Sequence, residues 1–131
     1  MRVLLDTYIA LWAIVDDPKL PARARVLIAD KDNVIVVSAA SVLEIAVKHA
    51  LASGGPNDLA LSGVKALEYF QKAGYEMLAV TAEHAAAVER LRPHHIDPFD
   101  RLLVAQALVE PLRLLTHDKH IASYSDMVIL V

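Results

Sequence analysis

Four acidic residues, Asp6, Glu44, Asp100 and Asp118, are spaced so that one fold can gather them. Asp6 directly follows the short run Arg2-Val3-Leu4-Leu5. Glu44 falls in the second turn of a helix that leaves the run Val34-Ile35-Val36-Val37. Asp100 falls in the first turn of a later helix, and Asp118 lies just past Leu112–Leu115. Carboxylates brought within a few ångströms of one another repel unless they are protonated or neutralised. A hard divalent cation removes that repulsion, and Mg2+ typically takes one or two carboxylates together with water and substrate phosphate. An ion so held can lower the pKa of a bound water and make it a nucleophile toward a phosphodiester, while a second ion can stabilise the leaving oxygen. These residues therefore point to metal-assisted hydrolysis of phosphodiester bonds.

Each acid also has a purely structural reading. Asp6 is a natural cap for the helix that follows it. Glu44 and Lys48 are spaced as a solvated i,i+4 pair, worth roughly 0.3–0.5 kcal/mol. Asp100 stands three residues after Asp97, where an acid complements a helix dipole. Asp118 can shape the turn before the last helical segment. No single residue carries the inference; their common location does.

That location depends on the elements. Arg2–Leu5 reads as a buried strand, followed by a helix over Tyr8–Val15 that Asp16-Asp17-Pro18 stops. Pro21 opens a second helix reaching about Asp30. Val34–Val37 is unbroken and β-branched, as in a strand covered on both faces. Ser38 is the expected N-cap of a long helix, Ala39–Ala52, and so a support for Glu44. The stretch Ser53-Gly54-Gly55-Pro56-Asn57-Asp58 reads as a loop, and a helix over Leu61–Ala73 ends at Gly74. A strand over Tyr75–Val80, a helix over Ala82–Arg92 and a helix over Phe99–Val109 come next. Asp97 caps this last helix and Pro98 takes its first position. The strands Leu112–Leu115 and Met127–Val131 complete the chain.

Alternation of apolar strands with helices predicts an α/β sandwich on a mostly parallel sheet, in one domain spanning residues 1–131. Ligands in such folds bind outside the carboxyl ends of the strands. Asp6, Glu44 and Asp118 fall at that edge. Asp100 joins them only if its helix begins there.

Composition narrows the function further. A hydrophobic fraction of 56% supplies a core and argues against disorder. A net charge of −3 argues against a large, uniformly basic nucleic-acid face. With no cysteine there is no disulfide framework, iron–sulfur site, thiolate nucleophile or cysteine-ligated zinc. Arg2–Val15 superficially resembles a signal peptide, but Asp6 interrupts it and no cleavage site follows. No segment reads as membrane-spanning, so a soluble cytoplasmic protein is expected. The histidines His94, His95, His117 and His120 invite a zinc reading. However, no His-Glu-x-x-His helix exists to converge three ligands. His117 near the acids remains a possible RNA contact.

The chain also resembles a known family. Leu4-Leu5-Asp6-Thr7, Val37-Ser38-Ala39-Ala40-Ser41-Val42-Leu43-Glu44-Ile45, Asp97-Pro98-Phe99-Asp100-Arg101-Leu102-Leu103-Val104-Ala105-Gln106-Ala107 and Leu115-Thr116-His117-Asp118 are similar to the motifs of VapC toxins. These are PIN-domain endoribonucleases of toxin–antitoxin modules, and the resemblance spans essentially the whole chain in the expected order. It implies a PIN-like three-layer sandwich, with a central sheet of about five strands flanked by helices. It also implies a Mg2+ or Mn2+ site that cleaves RNA, an antitoxin partner, and a homodimer within a larger toxin–antitoxin complex.

By that resemblance Asp6 and Asp100 are the most direct metal ligands, Glu44 and Asp118 act directly or through water, and Thr116 orients the site through its hydroxyl. Tyr8 stands where close relatives often carry histidine, so any role borrowed from that histidine is open. Tyr8 can stack on a base or contact phosphate, although a packed helix residue is the simpler reading. Arg23, Arg25, Lys48 and Arg101 are candidate RNA contacts. Trp12, with Ile9, Leu11 and Val15, reads first as core of the first helix and second as a partner interface. Two other classes stay in view: a Mg2+-binding phosphoacceptor domain, which would want paired acids at the first strand, and a non-catalytic binding module on the same fold.

Overall fold

A computed structural model of the chain describes residues 1–52, 54–55, 61–93 and 97–131. Much of the loop expected over residues 53–58 and both His94 and His95 lie outside the described residues. The strands are β1 (Arg2–Leu5), β2 (Val34–Ser38), β3 (Glu76–Leu78), β4 (Arg113–Thr116) and β5 (Val128–Leu130). The helices are α1 (Thr7–Ile14), α2 (Ala22–Ala29), α3 (Ala39–Ala50), α4 (Gly63–Lys72), α5 (Ala82–Ala87), α6 (Pro98–Val109) and α7 (Lys119–Ala122), with a 3-10 turn at Val88–Arg90.

The sheet runs β3-β2-β1-β4-β5, and every pairing is parallel. The chain starts in the central strand, winds outward through β2 to β3, then returns to the other side of β1 for β4 and β5. The winding reverses between β1 and β4, and such a reversal leaves a crevice at the carboxyl ends of those two strands.

Side-chain alternation along the strands divides the core into two layers. Val3, Leu5, Ile35 and Val37 face one way, against Ile9, Ala24, Ala66 and Phe70 of α1, α2 and α4. Leu4, Val36 and Leu114 face the other way, against Leu103, Val104 and Ala107 of α6 and Ile121 of α7. The expected three-layer α/β sandwich is what forms. Helix α3 contributes to both layers, through Ile45 to the first and Ala40 to the second, and so is held from both sides.

Departures from the expected elements have local causes. β3 is shorter than Tyr75–Val80 because it lies at the sheet edge, with β2 as its neighbour. α4 begins at Gly63 because the Ser62 side chain accepts from Lys65 N and caps it there. The helix expected to reach Arg92 tightens into the 3-10 turn at Val88. β4 extends to Thr116, which draws that side chain into the sheet.

Candidate functional site

The site is built first on the ends of β1 and β4. Asp6 sits between β1 and α1, and its Oδ1 accepts from Tyr8 N at 2.9 Å and Ile9 N at 3.2 Å. Its other oxygen accepts from the Thr116 hydroxyl at 2.5 Å. The same hydroxyl oxygen accepts from Asp118 N at 3.0 Å, and Asp118 Oδ1 accepts from His120 N at 2.8 Å to cap α7. Asp6 is therefore a cap and also a wall of the cavity described below. The structural and the chemical readings coexist in one carboxylate. Burial pushes its pKa up, against the Thr116 and backbone hydrogen bonds, and the nearby charge of Glu44 adds to the rise.

Helix α3 supplies Glu44. The Ser38 hydroxyl caps that helix by accepting from Ala40 N at 2.9 Å, so Ser38 acts through the helix and does not itself line the cavity. Thr7 Oγ1 donates to Ser41 Oγ at 2.9 Å in the interior and ties α1 to α3 one turn before Glu44. Glu44 is buried. Its Oε2 accepts from Lys48 Nζ at 2.7 Å, while Oε1 is buried and has no hydrogen-bond partner among the described residues. Lys48 Nζ also donates to Tyr8 Oη at 2.9 Å and lies 4.8 Å from the centroid of that ring. Burial by itself would lower the Lys48 pKa, but the bonds to Glu44 and Tyr8 outweigh it and hold the ammonium above its usual range.

Helix α6 begins at this edge and brings in Asp100. Asp97 accepts from Phe99 N at 2.7 Å and caps the helix, with Pro98 behind it, as the sequence predicts. Burial pushes the Asp100 pKa up to about 7, and the negative charges of Asp6, Glu44, Asp97 and Asp118 reinforce the shift.

All four acids line one cavity of about 630 Å3, together with Asp97, Tyr8, Ile9, Trp12, Lys48, Ile121 and the run His117–His120. Its lining combines carboxylates with aromatic and apolar side chains. The Trp12 ring centroid lies 6.1 Å from that of Tyr8, tilted by 45°, and 6.4 Å from that of His117, at 67°. His117 Nδ1 is 2.5 Å from the Val131 carbonyl; since a carbonyl only accepts, Nδ1 carries the proton there.

Three candidate RNA contacts are not brought to the cavity. Arg23 donates to the Leu130 carbonyl at 3.3 Å, and Arg25 pairs with Asp16 at 2.6 Å. Arg101 donates to the carbonyls of Arg92 and Val88 and to Tyr124 Oη, so it pins the 3-10 turn against the α7 region. Lys48 and Tyr8 do line the cavity. Sequence reasoning overlooked Thr7, Ser41 and Lys119. The buried pair Thr7 and Ser41 was signalled by polar side chains inside otherwise apolar helix faces. Lys119 carried no sequence signal, because its placement follows from the α7 turn.

Among the described residues, no three carboxylate or imidazole groups close into a direct cage for a metal ion. The acids stand around the cavity instead. An ion that keeps several of its waters, as Mg2+ does, needs only one or two of these acids directly. The unpartnered Glu44 Oε1 and the raised pKa of Asp100 are the signs of a donor set short of positive charge. The residues fit a hard divalent cation.

A parallel α/β domain with a carboxylate-lined crevice at its topological switch point defines the class. The chain belongs to the PIN domain family, whose model matches residues 3–127. Its fold is shared by a chain of the VapBC2 complex of Rickettsia felis bound to a promoter DNA fragment, with TM-score 0.70, 20% identity and coverage of 100% of this chain and 98% of that one. A chain of DNA-bound VapBC from Salmonella typhimurium gives TM-score 0.67 at 14% identity, covering 100% and 97%. VapC20 of Mycobacterium tuberculosis, a toxin that cleaves the sarcin–ricin loop, gives 0.61 at 17%, covering 95% and 97%. Among curated proteins, none matches the chain in sequence. Among the described residues, no helix is long and apolar enough to cross a membrane.

Proposed function

We propose that the protein is an endoribonuclease, the toxin of a toxin–antitoxin pair, and that it cleaves RNA phosphodiesters in the carboxylate-lined cavity with a divalent cation, Mg2+ or Mn2+. The observation that carries this reading is the convergence of Asp6, Glu44, Asp100 and Asp118 from four separate elements on one cavity. Membership of the PIN family supports nuclease chemistry, and the fold shared with chains of VapBC complexes supports an antitoxin partner. A homodimer within the toxin–antitoxin complex, acting in the cytoplasm, completes the proposal.

Asp6 and Asp100 hold the ion most directly, with Glu44 and Asp118 engaging it directly or through water. Such an ion would offset the clustered negative charge of these carboxylates and would supply the Lewis acidity for attack of water on the phosphodiester. The protein's own contribution is positioning. Thr116 fixes the Asp6 carboxylate and, through Asp118 N, the start of α7. Lys48 stands beside Glu44, where an ammonium can draw a phosphate toward the acids. Ile9 and Ile121 supply an apolar floor that limits water.

The test is cleavage of a mixed cellular RNA pool by purified, antitoxin-free protein in Mg2+, Mn2+ or EDTA. Discrete, metal-dependent cuts are expected. Asp6→Asn and Asp100→Asn should lower the rate by more than ~100-fold, beyond the 10–100-fold typical of outer-shell partners. Undiminished cleavage by both folded variants would remove the assignment.

A further inference from the structure

We propose that Trp12 is a stacking platform for a nucleobase of the substrate. This rests on the ribonuclease reading and adds what the site recognises.

The acids account for only part of the cavity lining. Helix α1 supplies both an acid and aromatic and apolar groups, because Asp6 caps its first turn while Tyr8, Ile9 and Trp12 line the same space. Trp12 is the only tryptophan in the chain and is partly exposed. Its aromatic neighbours, Tyr8 and His117, stand tilted and edge-on, so neither takes the parallel position a base would occupy. Tyr8 is already engaged, since its ring and hydroxyl hold Lys48. The indole packs against the first core layer and also lines the cavity beside the acids.

Every base has a π-face, and single-stranded RNA is held by stacking on aromatic side chains beside cations that track its backbone. Lys48 and Lys119 line the same cavity and provide such cations. In a duplex each base is stacked on its neighbours and cannot reach a side chain.

The sole tryptophan makes the proposal directly readable. The full-length chain carrying Asp100→Asn, which blocks turnover, would be titrated in Mg2+ with three probes. These are a single-stranded hexaribonucleotide, an abasic backbone of the same length and charge, and a perfect duplex of the same sequence. The hexaribonucleotide should quench Trp12 emission, while the abasic strand and the duplex should not. Anisotropy of a labelled hexaribonucleotide should show binding weakened by about 5- to 100-fold in Trp12→Leu, with Trp12→Phe restoring much of it. Thermal unfolding confirms that both variants fold. Equal quenching by the abasic strand, or unweakened binding by Trp12→Leu, overturns the platform while leaving the nuclease reading intact. If wild-type protein neither binds nor cleaves any RNA, both proposals fall.

Discussion

Asp100 shows at a single residue what the crowding of acids does. Its pKa lies near 7, pushed there by burial and then by four neighbouring negative charges, against an ordinary value of 3.8. Between those two values the folded protein holds a proton that the unfolded chain has already released. Stability contributed at this group therefore falls as pH rises from about 4 to about 7, and the loss is complete above that. In EDTA, the wild-type melting temperature should drop between pH 5 and pH 8, and Asp100→Asn should flatten the drop and unfold at a higher temperature at pH 8. A wild-type profile that rises over that range would contradict the assignment. A bound cation must displace the same proton. Calorimetry at pH 6 should detect proton release on Mn2+ binding, and the apparent affinity should weaken below about pH 7. Thr116 belongs to the same scale. Thr116→Val removes the hydroxyl that holds Asp6 and should cost about 10–100-fold in cleavage, whereas Thr116→Ser should retain most of the rate.

Among the elements, α3 depends on a close approach to α4. A Cβ added at Gly63 would lie 2.6 Å from Ala46 Cβ, 3.1 Å from Ala46 Cα and 3.2 Å from the Val42 carbonyl. Backbone cannot yield as a flexible side chain would, so Gly63→Ala should destabilise the protein by about 1–3 kcal/mol in denaturant unfolding. Because the displaced helix carries Glu44, cleavage should fall as well. A variant as stable as wild type would show that the two helices separate freely. The element scale also explains what could be read in advance. β1, β2 and β4 are buried in all but their first residues, so their apolar middles announce them, and Asp6 and Asp118 follow the ends of β1 and β4. The edge strand β3 is half exposed and its pattern overruns its pairing. The way α5 is capped at its start was hidden for a different reason. His84 fills the capping-box position usually held by Glu or Gln, accepting from Thr81 N at 3.0 Å while its Nε2 meets Glu110 Oε2 at 2.6 Å. Whether Asp100 reached the site turned on where α6 starts in space, which Asp97-Pro98 marks along the chain but not across the sheet.

For the whole molecule, charge and topology set the expected behaviour. The chain carries a net −3, and the lysines lining the cavity are Lys48 and Lys119. With two phosphates neutralised, log affinity for single-stranded RNA should fall with log salt at a slope of only about −1.4, measured by anisotropy. A much steeper slope would mean that a basic surface elsewhere holds the RNA. Topology has a further consequence for the protein's own synthesis. Asp6 is synthesised more than a hundred positions before the hydroxyl that fixes it and the last of the acids, which arrive only with β4 and α7. β1 cannot take its central place until strands exist on both sides of it. No shorter stretch of nascent chain can hold the four acids together. A cell translating this message thus meets the assembled cavity only after α7 has been made, and any partner made beforehand has that whole interval in which to be waiting.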